Sequence, residues 1–95
     1  MDTPRHEDFV PYVDAVFRFD GWSDPLRLAA VDVATRLNPG IDRHPFTLVF
    51  RGARNPVLPE GMRRVIAPDG RAFDIYVMPI HTPAPGHQDY QAVFN

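Results

Sequence analysis

The sequence predicts an all-β fold, a small antiparallel barrel or sandwich of five to six strands with one short N-terminal helix. Three observations carry that expectation. Large apolar side chains alternate with polar ones in short runs, clearest in Phe46-Thr47-Leu48-Val49-Phe50-Arg51 and in Phe73-Asp74-Ile75-Tyr76-Val77-Met78. Proline- and glycine-bearing turns separate such runs at a spacing of roughly ten residues. The last six residues, Tyr90-Gln91-Ala92-Val93-Phe94-Asn95, alternate in the same way, so they read as a strand that must pair within its own sheet or with another subunit.

Along the chain, Thr3-Pro4 with Glu7 and Asp8 behind it has the capped, acidic first turn of a helix. Phe9 and Val13 fall on one face of it and Pro11 limits its length, which places a short helix within residues 4–13. Phe17 and Phe19 then share a strand face, opposite Val16, Arg18 and Asp20, and Asp20-Gly21 opens a turn running to Pro25. Residues 26–37 fit two patterns. Leu26, Leu28 and Ala30 alternate, with Val31 and Val33 displaced by one as a bulge would displace them. Yet Leu26, Ala30, Val33 and Leu37 also lie at helical spacing, between Ser23-Asp24-Pro25 and Asn38-Pro39-Gly40.

Beyond that stretch come the strand from Phe46, a long turn marked by Asn55-Pro56 and Pro59-Glu60-Gly61, and a short strand Arg63-Arg64-Val65-Ile66. Pro68-Asp69-Gly70 turns into the strand that carries Phe73, Ile75 and Val77 on one face. Tyr76 and Met78 make its other face partly apolar, and the N-terminal helix is the expected cover for them. Residues 79–86 contain three prolines and read as a stiff, exposed loop before the final strand.

At 95 residues this is one expected domain, residues 1–95, with no repeat and no linker. The net charge of −2 gives no pull toward nucleic acid or an anionic membrane. All 10 basic residues are arginine, a composition that GC-rich coding produces and that an arginine-dependent contact surface would also use. With no cysteine, thiol catalysis, disulfides and thiolate metal sites are excluded. The polar, acidic start is unlike a signal peptide and no apolar run approaches the roughly 18–20 residues of a membrane span, so the expected location is the cytoplasm.

Several segments together resemble a known group. Pro45-Phe46-Thr47-Leu48-Val49-Phe50-Arg51-Gly52, Leu58-Pro59-Glu60-Gly61, Phe73-Asp74-Ile75-Tyr76-Val77-Met78-Pro79-Ile80 and Tyr90-Gln91-Ala92-Val93-Phe94-Asn95 are similar to the strands and turns of a family of small bacterial domains of unknown function. That family shows PF-x-L-x-F-R-G, LP-Q/E-G and Y-E/Q-A-V-F-N motifs. Glu60 stands where its members more often have glutamine, and Gln91 where they more often have glutamate. The resemblance covers most of residues 45–95 and favours strand over helix for residues 26–37. It implies an accessory role linked to phage-tail-collar-like proteins, and its motifs carry no reaction.

Chemistry-bearing residues form no catalytic set. His44, His81 and His87, with Asp42 and Asp89, lack the close anchor pair of a zinc site, and solvated loop histidines account for them. No hydroxyl sits on a glycine-flanked elbow, no acid has a nominated partner beside Asp74, and the glycines are scattered singly. Arg51, Arg54, Arg63, Arg64 and Arg71 crowd residues 51–71, which would make a positive patch if the strands there adjoin. Trp22 either caps a barrel end or anchors an interface.

The expectation is therefore a non-enzymatic protein-interaction or accessory structural module with another protein as partner. Contacts are expected from Trp22, Arg54, Arg63, Arg64 and His81 and from the 79–87 loop, with Tyr90 and Phe94 holding the last strand in the core. No cofactor, nucleic acid or membrane is expected, and the oligomeric state stays open. The competing expectation is a small-molecule or metal-binding barrel whose open end is lined by His44, His81 and Asp74.

Overall fold

The computed structural model describes residues 4–34 and 44–95. A one-turn helix α1 (His6–Phe9) runs into a 3₁₀ turn (Val10–Tyr12). Six strands follow: β1 (Val16–Phe19), β2 (Leu26–Val33), β3 (Phe46–Gly52), β4 (Gly61–Ile66), β5 (Ala72–Pro79) and β6 (Gln88–Phe94). They close into an antiparallel barrel in the order β1-β2-β3-β6-β5-β4. The stretch that fits both helix and strand patterns is β2 as far as Val33, and it carries a bulge. The register shifts between Leu28 and Ala30, earlier than the step from Ala30 to Val31 at which the alternation is displaced. Residues 35–37, the rest of that stretch, lie outside the described residues.

Alternation puts one apolar row of each strand inside. Phe17, Phe19, Leu28, Leu48, Phe50, Val65, Ile75, Val77 and Tyr90 are all essentially inaccessible to solvent. Side chains thus fill the barrel, as they do in small barrels generally. Two strands start earlier than their patterns indicate. β4 takes in Gly61 and Met62, and β6 takes in Gln88 and Asp89, because backbone pairing with β5 and β3 extends past the apolar alternation.

Both barrel ends are plugged. At one, Phe9 from α1 lies 4.5 Å from the Phe73 ring, 5.8 Å from Phe94 and 5.9 Å from Phe46. At the other, the β3–β4 connection buries Leu58, whose N–H donates to Tyr90 Oη at 2.9 Å. The helix is therefore not laid over the outer face of β5. Tyr76 there stays 45% exposed, a correction to the expected cover, since Phe9 finds more apolar surface inside the barrel mouth than outside it. The N-cap is Arg5, whose N–H is accepted by Asp8 Oδ2 at 2.8 Å, whereas Thr3 lies outside the described residues.

Two polar contacts tie α1 and the 3₁₀ turn after it to the β4–β5 hairpin. Arg71 donates to Asp8 at 3.0 Å and rests 4.9 Å above the Phe73 ring, and Tyr12 Oη donates to Asp69 at 2.7 Å. The hairpin turn needs Gly70, at φ +93°, where a side chain would be strained.

Replacing Phe9 by alanine removes the plug and should cost about 3–5 kcal/mol in urea unfolding, a large share of the stability of a domain this small. Acid should act on the same tether. The Arg5 N–H and Arg71 guanidinium hold Asp8 below its ordinary pKa, the Tyr12 hydroxyl holds Asp69 below its own, and Arg51 does so for Asp89. A depressed folded-state pKa gives stability that is present above the unfolded value and lost as pH falls through the folded one. The melting temperature should hold near neutrality and drop below about pH 4, and Asp8→Asn with Asp69→Asn should flatten that drop.

Candidate interaction face

The outward rows of β1, β4 and β5 fall in register across one side of the barrel. Arg18 pairs with Ile66, and Ile66 with Ala72. One step along, the Asp20 N–H donates to the Arg64 carbonyl at 2.8 Å, and Arg64 pairs with Asp74. A further step brings Met62 opposite Tyr76. Antiparallel pairing puts directly opposed side chains about 4.5–5.5 Å apart, so each row is a line of touching groups.

The rows differ in character. Met62 is 63% exposed beside the half-exposed Tyr76, which makes an apolar patch at one end. In the middle Arg64 clasps Asp74 through two bonds, Nε to Oδ1 at 3.1 Å and Nη2 to Oδ2 at 3.3 Å. That bond, and the nearby Asp20 charge, push the Arg64 pKa up. At the other end, where the β1–β2 turn meets β4, a groove of about 390 Å³ is lined by Phe19, Trp22, Pro25 and Ile66, with Arg18 and Asp20 at its edge. Beyond Met62, the Tyr76 hydroxyl donates to Glu60, which raises the tyrosine pKa.

Of the residues expected at a contact, Trp22 and Arg64 lie on this face. Trp22 is half-buried, packed against the core on one side and lining the groove on the other; Leu58 and Phe9 are the residues that plug the barrel ends. Arg54 lies elsewhere, its Nη1 donating to the carbonyls of Thr82 at 2.8 Å, His87 at 3.1 Å and Ala84 at 3.4 Å. Arg63 turns back to the Pro59 carbonyl at 2.9 Å, and its buried Nε has no partner. His81 is exposed on the loop that Arg54 holds. That loop is not wholly exposed, contrary to expectation, because Thr82 is buried and its hydroxyl bridges Ile80 and Asp89.

The arginine cluster forms no positive patch. Arg51 binds Asp89 at 2.8 Å, Arg64 binds Asp74 and Arg71 binds Asp8, so in this cluster only Arg54 and Arg63, which donate to backbone carbonyls, keep a charge with no carboxylate beside it. The residues proposed for an open-ended ligand barrel also stay apart. His44 precedes Phe46 at one end of β3, where its Nδ1 lies 3.0 Å from the Ala34 carbonyl, whereas His81 adjoins the opposite end of the β3–β6 ladder. Asp74 is outside the barrel, bound to Arg64. Asp42 falls outside the described residues, and among those described no group of three or more His, Asp or Glu side chains could hold a metal ion.

Arg18, Asp20, Met62 and Ile66 were not nominated by the sequence. Alternation marks all four as outward, but only the pairing of β1 with β4, far apart in the chain, brings them together. Replacing Arg54 by alanine should free the 80–87 loop, raising amide exchange there and costing about 1 kcal/mol after solvent screening, with β4 exchange unchanged.

Among the described residues no helix is long and apolar enough to cross a membrane. No curated protein and no solved structure matches the chain. The model of one family, a domain of unknown function (DUF6916), matches residues 4–94, and the chain belongs to that family.

Proposed function

We propose that this domain is a non-enzymatic protein-interaction module that docks a partner on the β1-β4-β5 face and works as an accessory structural part in the cytoplasm. The observation that carries this reading is the pairing, on one sheet face, of an exposed Met62–Tyr76 patch with the Trp22 groove. Tryptophan, tyrosine, methionine and arginine are the side chains that protein interfaces favour, because they offer large contact area with few rotamers to freeze or with adaptable shape. Phage-tail-like assemblies are the proposed setting, supported by the resemblance to bacterial domains associated with phage-tail-collar-like proteins. A ligand-binding barrel has less behind it, since aromatic and aliphatic side chains fill the interior and His44, His81 and Asp74 do not converge.

The test is affinity capture from the source organism with four baits: wild type, Met62→Glu, Trp22→Ala and Val57→Glu. Val57 is exposed but lies off the face, in the β3–β4 connection, so it controls for surface charge alone. A partner held by wild type and Val57→Glu, and lost with the other two while circular dichroism stays unchanged, is the expected result. A partner held equally by all four contradicts the reading.

A further inference from the structure

Arg18 and Asp20 define what the groove beside Trp22 would accept. Arg18 lies in β1 and Asp20 is the first residue past its end, where the Asp20 N–H still continues the β1–β4 ladder to the Arg64 carbonyl. Both are exposed, and the extended residue between them, Phe19, sets them about 6.6–6.8 Å apart along the chain. Among the described residues neither side chain makes a hydrogen bond or ion pair. Arg27, Arg51, Arg54, Arg63, Arg64 and Arg71 each give their guanidinium to a carboxylate or carbonyl, and Arg18 gives its own to none. The Asp20 carboxylate likewise has no donor, and the neighbouring Arg64 is already bound to Asp74. This open pair of opposite charges lines the groove of about 390 Å³ together with the apolar walls of Phe19, Trp22, Pro25 and Ile66.

We infer that the groove recognises an extended segment of a different protein that places an acidic and a basic side chain two residues apart, opposite Arg18 and Asp20, flanked by an apolar residue that seats against Trp22. An extended chain repeats every two residues at the same spacing as β1, so such a segment matches both charges at once. A second copy of this chain fits less well. The middle row of the face reads Asp20, Arg64, Asp74, and a two-fold axis through Arg64 would set each charge against its like. The inference rests on the β1-β4-β5 face being the docking surface.

The one tryptophan of the chain is Trp22, so its fluorescence reports the groove directly. Titration would use end-blocked peptides Leu-Ser-X-Ser-Z-Ser-Leu, with X and Z being Glu and Lys, Glu and Glu, Lys and Lys, or Ser and Ser. The expected result is a saturable spectral shift with the Glu/Lys peptide at least tenfold tighter than with the others. Asp20→Arg, which turns the pair into two cations, should transfer the preference to the Glu/Glu peptide. Equal affinity for all four peptides, no shift with any, or a shift that grows with protein concentration alone would each overturn the inference. Because affinity capture reads the effect of Met62, which no peptide needs to reach, loss of the charge register leaves the face itself separately tested.

Discussion

β5 and β6 meet over two residue pairs, Met78 with Gln91 and Pro79 with Tyr90, and β1 meets β4 over two, Arg18 with Ile66 and Phe19 with Val65. Closing the barrel at these short seams is the constraint on which the rest of the structure depends. Backbone hydrogen bonds are few there, so burial has to supply the cohesion. Phe9 does so where β5 and β6 diverge, bridging Phe73 on one strand and Phe94 on the other, with Phe46 stacked on Phe94 at 4.6 Å behind it. Phe19 and Phe17 perform the same service near the β1 seams, both in edge contact with Phe50. Aromatic pairs of this kind add attraction beyond their buried area and suit a gap that short strands cannot zip.

A barrel closed in this way has spent its interior. Every inward row is occupied by side chains, and the loops that could have framed an open mouth fold over it, Leu58 on to Tyr90 and the 80–87 loop on to Arg54 and Thr82. What remains to do work is the outside. There most charges are neutralised within the fold: Arg51 with Asp89, Arg64 with Asp74, Arg71 with Asp8, Arg27 with Asp14. The β1-β4-β5 face departs from that rule at Arg18 and Asp20, beside a partly exposed tryptophan, and at the Met62–Tyr76 patch. These two places, on one sheet, give the domain a contact surface with both apolar grip and charge direction.

Much of the strand content is legible in the chain because alternation is a local signal. Phe17 and Phe19, Phe46 to Phe50, and Phe73 to Val77 each announce a buried row, and the displacement after Ala30 announces a bulge, which the pairing with β3 puts slightly earlier, between Leu28 and Ala30. The helix is legible too, but not its place, since nothing local says whether Phe9 inserts into the barrel mouth or lies over Tyr76. The candidate face is less legible still. Arg64 beside Asp74 follows from a hairpin, whereas Arg18 beside Ile66 follows from a pairing across more than half the strands. Arg54 reads as a free surface charge until the 80–87 loop wraps around it. Such contacts are set by register between distant segments, and composition or spacing within one segment does not contain them.

The claim that the closed barrel is a single cooperative unit is tested most directly at the β5–β6 seam, by amide hydrogen exchange of Ile80, whose N–H donates to the Asp89 carbonyl at 3.0 Å. Exchange measured across a series of low urea concentrations separates local opening from global unfolding. The account predicts that Ile80 exchanges only through global unfolding, with the same free energy and urea dependence as the buried strand amides of Leu48 and Ile75. An Ile80 amide that exchanges far faster and without urea dependence would mean that the seam opens by itself, and a barrel that opens there has an accessible interior, contrary to the structure described.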